Sequence, residues 1–206
     1  TSGLLMIAKN KSSAKEYSAQ IQGKKVQKTY LACVQGQFPS CDSDLPNHNC
    51  GEVEWLEDGS LKLSCPLKYD YSVHDDGEHR CKHIFHQEGK PSSTTFKKLF
   101  ENGRLTIVRC VPLTGRTHQI RVHMSYKGNQ IVGDKKYKKK YKKLKNVNEE
   151  IDKAIIKLDR QFLHAKILGF DHPKSGKRLF FETNLPDDLM KIINVLEKLQ
   201  KLDVVK

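Results

Sequence analysis

The densest cluster of potentially reactive side chains lies at 114–123, where the sequence is TGRTHQIRVH. Two arginines, two histidines, two threonines and a glutamine occur within these ten residues. If the chain is helical over 117–126, His118 and Arg121 are three residues apart and share one helix face. The helix N-terminus beside Gly115 would favour an anion. The alternative interpretation is a solvated helix face whose histidines are held by ordinary hydrogen bonds.

Histidine and cysteine side chains in two places raise the question of a zinc site. His118 and His123 are five residues apart, whereas zinc-binding pairs on a helix are usually four apart, so the spacing argues against a site there. The segment HDDGEHRCKHIFHQ and an earlier loop hold a second group, consisting of His74, His79, Cys81, His83 and His86 with Cys41, His48 and Cys50. Cysteine and histidine at this density can bind zinc. Their spacing matches no standard zinc finger, and we expect no metal.

The charge balance favours a polyanionic partner. Among 206 residues, 37 are Lys or Arg and 24 are Asp or Glu, which gives a formal net charge of +13. Nucleic acid is the commonest such partner, although a basic ribosomal or membrane-surface protein would carry the same charge. No apolar run approaches the ~20 residues needed to cross a bilayer. We therefore expect a soluble intracellular protein that is not a membrane protein, with cytoplasm, nucleus and mitochondrion all open.

A lysine-rich run, KKYKKKYKKLK, occupies 135–145, and eight of its eleven residues are lysine. Lysines that reach phosphates release counterions and strengthen binding to nucleic acid. The candidates for contact with an RNA backbone are Lys135, Lys136, Lys138, Lys139 and Lys140. A solvated insertion without a ligand and a nuclear import signal are the alternatives for this run.

The elements that must position these residues alternate between hairpins and helices. The pattern predicts an early strand over 4–8, a helix in KSSAKEYSAQIQGKK that Ser12 or Ser13 caps and Gly23 ends, and a strand in KTYLACVQG. Loops are expected over 37–59 and 69–91. The later segments predict a hairpin turning at Asn102-Gly103, a helix in EEIDKAIIKLD, a strand pair FLHAKILGF and RLFFET, and a closing helix after Pro186. This mixture indicates an α+β fold rather than a doubly wound sheet.

Four segments, in order along the chain, resemble motifs of the RluA-type pseudouridine synthases. They are VQKTYLACVQGQF, GKPSSTTFKKL, TGRTHQIRVHMSYKGNQIVGDKKY and LHAKILGFDHPKSGKRLFFETNLPDDL. Enzymes of this family break the glycosidic bond of a uridine in RNA and rejoin the base through carbon 5. The resemblance implies a cofactor-independent catalytic domain over residues 1–206, incomplete at its N-terminus, with a mainly antiparallel sheet and flanking helices. Insertions are expected near 41–51, 69–87 and 135–157.

The same resemblance implies roles for particular residues. The opening TSGLL is similar to the end of the family's Arg-Leu-Asp-x-x-Thr-Ser-Gly motif, so the nucleophilic Asp is expected three residues ahead of Thr1, outside this sequence. Tyr30 matches the active-site tyrosine, and Arg121 matches the arginine paired with the Asp. Arg116 and His118 are expected to face RNA or brace the turn. Ile131 matches an apolar position beside the uracil.

Alternatives to these roles stay open at this point. Tyr30 could be a strand aromatic in the core, and Ile131 could serve core packing alone. An RNA pseudouridine synthase acting on tRNA or rRNA is the first hypothesis for function. A non-catalytic basic RNA-binding module of the same ancestry is the second, and a ribosomal or assembly protein is the third. We expect an RNA partner, a monomer, and neither metal nor cofactor.

Overall fold

Four helices and ten strands occur in the residues that the computed structural model describes, which are 1–40, 51–71, 82–137 and 149–200. The helices are α1 (Lys11–Gln22), α2 (Gln119–Tyr126), α3 (Glu149–Lys157) and α4 (Asp187–Gln200). The strands are β1 (Ser2–Gly3), β2 (Gln27–Gln35), β3 (Glu52–Trp55), β4 (Leu61–Ser64), β5 (Leu67–Asp70), β6 (Lys82–Phe85), β7 (Ser93–Glu101), β8 (Leu105–Pro112), β9 (Leu163–Asp171) and β10 (Arg178–Glu182).

Eight of these strands form one sheet in the order β1-β9-β2-β8-β7-β4-β3, with β10 also paired to β9. The pairing is antiparallel everywhere except between β1 and β9, which run parallel. Strands β5 and β6 form a separate antiparallel hairpin. The α+β class and the mainly antiparallel sheet predicted from the sequence are therefore confirmed.

The best-predicted elements are those with strong local signals. Asn102-Gly103 turns the β7–β8 hairpin, and Gly103 has φ +80°, a backbone conformation that glycine adopts without strain. In α4 the carbonyl of Pro186 accepts hydrogen bonds from the first helical turn. One face of α4 is fully buried and carries Leu189, Ile192, Ile193 and Leu196. Each such side chain stabilises the fold by about 1.5–3 kcal/mol.

One predicted strand and two predicted loops are wrong. Residues 4–8 form no strand, because only Ser2–Gly3 pairs with β9 and the following apolar side chains point outward, Leu5 being 81% and Ile7 76% exposed. The predicted loop over 37–59 contains β3, which pairs with β4, and the predicted loop over 69–91 contains β6, which pairs with β5. Short strands of four residues with charged neighbours give a weak periodic signal.

The ends of α1 and α2 also differ from the prediction. Asn10, rather than Ser12 or Ser13, caps α1, since its Oδ1 accepts a hydrogen bond from the Ser13 N–H at 2.9 Å. Gly23 ends the helix as predicted, and its N–H donates to the carbonyl of Ala19. Helix α2 begins at Gln119, so the residue before it, His118, is not within the helix but at its N-cap, with φ +56°.

Helix α2 packs against β6, β7 and β8, and α3 packs against α4. The core between these helices and the sheet includes the two thiols Cys33 and Cys110, which are buried as their apolar surroundings in the sequence predicted. No helix in the described ranges is long and apolar enough to cross a bilayer.

Candidate active site

An open cavity of about 490 Å³ lies where β1, β2 and β9 meet the turn that leads into α2. It is lined by Thr1, Ser2, Gly3, Leu4, Leu5, Lys28, Tyr30, Pro112, Thr114, Gly115, Arg116, His118, Gln119, Ile120, Arg121, Leu163 and Ala165. Four of the residues singled out in the sequence, Tyr30, Arg116, His118 and Arg121, are thus brought together although they come from two distant segments.

Gln119 holds the turn that forms one wall of this cavity. Its Oε1 accepts hydrogen bonds from the Thr114 hydroxyl at 2.6 Å and from the Arg116 N–H at 3.0 Å. Its Nε2 donates to the carbonyl of Ser93 and to the hydroxyl of Thr94, both at 2.9 Å. The side chain is buried with its amide fully used, so it ties the turn to β7. No role for Gln119 was predicted, because both of its partners on β7 are more than 20 residues away.

Arg121 forms a buried bidentate ion pair with Asp134. Nε and Nη2 of Arg121 donate to the two carboxylate oxygens at 2.7 and 2.8 Å, and the side chains are 11% and 1% exposed. Burial pushes the pKa of Asp134 upward. Hydrogen bonds from Arg121 and from the N–H groups of Tyr137 and Lys136 outweigh burial, so the net pKa is lowered and the carboxylate stays ionised. Nη1 of Arg121 makes no hydrogen bond to a described residue and remains for a second acceptor.

Tyr137 packs against Arg121 and joins it to the β5–β6 hairpin. Its ring centroid lies 5.0 Å from Cζ of Arg121, a cation–π distance. Its hydroxyl accepts a hydrogen bond from the His83 N–H at 3.1 Å and lies 2.9 Å from Nδ1 of His118. This role of Tyr137 was not predicted, because Tyr137 and Tyr141 have the same lysine-rich neighbours in the sequence.

His118 is a neutral imidazole at the edge of the cavity. Burial, followed by the positive charges of Arg121 and Lys136 and by the neighbouring His83, lowers the pKa of His118 to about 4. A non-glycine residue in the left-handed backbone region is uncommon and is enriched at functional sites. The side chain both lines the cavity and braces the turn through Tyr137.

Tyr30 projects into the cavity from the middle of the sheet. On β2 it lies opposite Cys110 of β8 and Ala165 of β9. The β2–β9 register shifts between Thr29 and Tyr30, so that β9 carries an extra residue there; such bulges redirect strands near active sites. The side chain is half-buried, and burial raises the pKa of the phenol, which is therefore protonated at neutral pH.

The opening Thr-Ser-Gly segment is fixed along the cavity wall. Ser2 and Gly3 pair with His164 and Ala165, and the Ser2 hydroxyl lies 3.0 Å from Nδ1 of His164. Gly3 has φ +101°, and a Cβ at this position would lie 2.2 Å from the carbonyl oxygen of Ala165. Only glycine fits this approach of the two backbones.

The other sequence-predicted residues lie elsewhere. Ile131 is buried, bridges to Val34 in the core, and is not in the cavity lining. Lys135 is exposed and pairs with Asp159, and Lys136 is exposed with its N–H bonded to Asp134. Lys138, Lys139 and Lys140 lie outside the described residues, as do six members of the cysteine and histidine group for which no metal was expected, His74, His79, Cys81, Cys41, His48 and Cys50. Within the described ranges no three potential ligands could hold a metal ion.

The fold is that of solved pseudouridylate synthase domains. The human RNA Pseudouridylate Synthase Domain Containing 4 matches 91% of this chain and 69% of its own with a TM-score of 0.57 at 21% identity. Human RNA Pseudouridylate Synthase Domain Containing 1 matches 97% of this chain and 76% of its own, also with a TM-score of 0.57 at 21% identity. At this identity the likeness concerns the fold alone.

The sequence comparison identifies the family. Residues 1–126 match the family model described as RNA pseudouridylate synthase, and the chain belongs to that family. It is 37% identical over 203 residues to ribosomal large subunit pseudouridine synthase C of Haemophilus influenzae and 35% identical over 196 residues to that of Salmonella typhimurium. These matches cover 98% and 95% of this chain but 52% and 53% of the relatives, so the chain spans about half their length. The resemblance seen in the four motifs is confirmed.

Proposed function

We propose that this chain forms the uridine-binding and catalytic core of an RNA pseudouridine synthase that acts on ribosomal RNA. The observation that carries the proposal is the cavity in which Tyr30 and Arg121 meet the Thr-Ser-Gly segment. Family membership and the printed function of the bacterial relatives support the same activity. Bound uridine would exchange its C1′–N1 bond for a C1′–C5 bond, with a proton leaving carbon 5 and one taken up at N1.

The nucleophile of this reaction is the Asp that the family motif carries three residues ahead of Thr1. Strand β1 follows the cavity wall, so a segment joined to Thr1 starts beside Arg121. Nη1 of Arg121 is the donor available to such a carboxylate. A fixed guanidinium keeps a carboxylate ionised in a closed pocket, where burial alone would raise its pKa. Asp134 orients Arg121 from the other side without entering the cavity lining.

Tyr30 supplies the second part of the chemistry. We infer that its ring, which lines the cavity, stacks on a base that enters from the RNA. Because the phenol is protonated at neutral pH, it acts as a relay that accepts the proton from carbon 5 and gives up its own proton toward N1. Turning the base out of an RNA helix costs a few kcal/mol, which contacts to the RNA backbone must offset. The net charge of +13 suits that task.

Tritium release from ribosomal RNA labelled at carbon 5 of uridine tests the proposal. The protein to use carries the family's Arg-Leu-Asp ahead of Thr1, natural or grafted, beside the same protein with asparagine in place of that aspartate. Release by the first and none by the second is expected. RNA binding without release by either would favour the non-catalytic module. Release from transfer RNA only would keep the activity and overturn the ribosomal substrate.

A further inference from the structure

Lys28 lies beside Tyr30 in the cavity and has no part in the proposed isomerisation of uridine. The two residues are on the same face of β2, which places their Cα atoms about 7 Å apart along the strand. The ammonium reaches toward the turn before α2, since a Cβ built on Gly115 would lie 3.5 Å from Nζ of Lys28. Among the described residues, no other heavy atom comes within 4 Å of that Cβ position. The ammonium of Lys28 therefore lies against the turn at Gly115.

The charge of Lys28 is not neutralised by the described part of the chain. Its ammonium makes no hydrogen bond and no ion pair there, although the side chain is half-buried. The cavity lining contains three cations, Lys28, Arg116 and Arg121, and no carboxylate. Asp134 neutralises Arg121, whereas Arg116 donates Nε to the carbonyl of Pro91 and has no acidic partner in the described ranges. Two uncompensated cations thus flank Gly115.

A half-buried lysine without an acidic partner is unfavourable in the empty protein. Burial lowers the pKa of Lys28, and an anion bound in the cavity would act in the opposite direction. Because Gly115 has no side chain, the ammonium of Lys28 comes close to the turn that also carries Arg116, and both side chains line the cavity. An ammonium is a compact point charge that suits a phosphate oxygen and needs no planar alignment.

We propose that Lys28 binds a backbone phosphate of the RNA beside the nucleotide held in the cavity, with Arg116 as the second cation on the other side of Gly115. The proposal rests on the proposed function, because it takes the occupant of the cavity to be RNA. It assigns the phosphate contact to the same strand that carries Tyr30. The base and its phosphate would then be held by side chains two residues apart on one rigid element.

Binding of an oligouridylate of about eight nucleotides to the 206-residue chain, measured by fluorescence anisotropy between about 50 and 200 mM KCl, tests this contact. One phosphate contact adds about 0.7 to the salt slope for a single strand, which corresponds to about fivefold in affinity at 0.1 M salt. We expect Lys28→Met to bind about fivefold more weakly at 0.1 M salt and to have a salt slope smaller by about 0.7. Lys28→Arg should keep the wild-type affinity and salt slope. Lys191→Met, which removes an exposed lysine of α4 outside the cavity, is the matched control and should retain wild-type binding.

Two further measurements separate the alternatives. Lys28→Gln keeps a hydrogen-bond donor without the charge, so wild-type binding by this variant would overturn the phosphate contact in favour of a base carbonyl. The unfolding temperature of Lys28→Met should equal or exceed that of the wild type, since no contact is lost; a fall would indicate a structural lysine. An unchanged salt slope in Lys28→Met would also overturn the proposal. None of these readouts needs turnover, so failure of the tritium assay is distinguishable from failure of this contact.

Discussion

Among single residues, the orientation of Arg121 depends on its buried ion pair with Asp134. Asp134 uses both its oxygens on Arg121 and also accepts two backbone N–H groups. The arginine, which lines the cavity, is therefore oriented before any substrate binds. Preorganised charge of this kind costs no reorganisation when the reaction starts.

Asp134→Asn should destabilise the fold by about 3–5 kcal/mol, because it leaves the Arg121 charge buried without its counterion. Urea unfolding measures the loss. Asp188→Asn is the matched control, since Asp188 makes the same bidentate contact with Arg160 at 2.7 Å but with side chains 45% and 30% exposed. That variant should lose about 1 kcal/mol or less. Equal losses in the two variants would contradict the importance of burial for the Arg121 pair.

Among the elements, the cavity is built where the two-residue edge strand β1 pairs with β9, close to β2. The close approach of β1 and β9 at Gly3 fixes the direction in which the chain passes the cavity. The N–H of Leu4 continues this pairing by donating to the carbonyl of Ala165 at 3.0 Å. A very short strand can be positioned accurately in this way because the neighbouring β9 is itself paired on both sides.

Gly3→Ala should break the pairing of β1 with β9, since the added Cβ would overlap the backbone of Ala165. Hydrogen exchange at the amide of Leu4 should become faster by at least tenfold, the equivalent of about 1.4 kcal/mol of lost local stability. Gly59→Ala provides the control, because Gly59 also has a positive φ but has open space around it. Gly59→Ala should lower the stability by only about 1–2 kcal/mol, which is the cost of a non-glycine residue in the left-handed backbone region. Unchanged exchange at Leu4 would show that β1 is not held by this contact.

The elements also show which features a sequence can predict. The β7–β8 hairpin, α4 and the strand pair β9–β10 were predicted because an Asn-Gly turn, a proline start or a clear period encodes them locally. The Asn10 cap was missed because two serines nearby are equally good candidates. Tyr30 and Arg121 were expected at the site through the family resemblance. Asp134 and Gln119 were not, since their importance comes from contacts that only the folded chain creates.

At the scale of the whole molecule, several buried histidines make the fold sensitive to acid. Burial lowers the pKa of His123 to about 4, and the side chain is completely enclosed, with Nε2 bonded to Ser92 and no partner for Nδ1 in the described structure. Burial likewise lowers the pKa of His164. These groups are neutral in the folded protein and gain a proton more easily on unfolding.

The free energy of unfolding should therefore be at its plateau above about pH 6.5 and fall as the pH drops toward 4. In this window the unfolded chain binds protons that the folded chain excludes, and His123 alone contributes a slope of about 1.4 kcal/mol per pH unit. Below about pH 4 the loss of Asp134 ionisation adds to the fall. Urea titrations at several pH values measure the profile, and His123→Met should reduce the slope between pH 6 and 5. A slope in His123→Met equal to that of the wild type would contradict the assignment of this pH dependence to His123.

Tritium release by Arg121→Lys, in the form that carries the aspartate ahead of Thr1, tests whether Arg121 holds the catalytic carboxylate in this cavity. Lysine keeps a charge for Asp134 but cannot bind two carboxylates in the fixed geometry of a guanidinium. Arg160→Lys alters an arginine that is 30% exposed and makes the same bidentate pairing outside the cavity lining, and it serves as the control. We expect kcat to fall by about a hundredfold in Arg121→Lys and to stay at the wild-type value in Arg160→Lys. Wild-type turnover by Arg121→Lys would mean that this cavity does not hold the catalytic carboxylate.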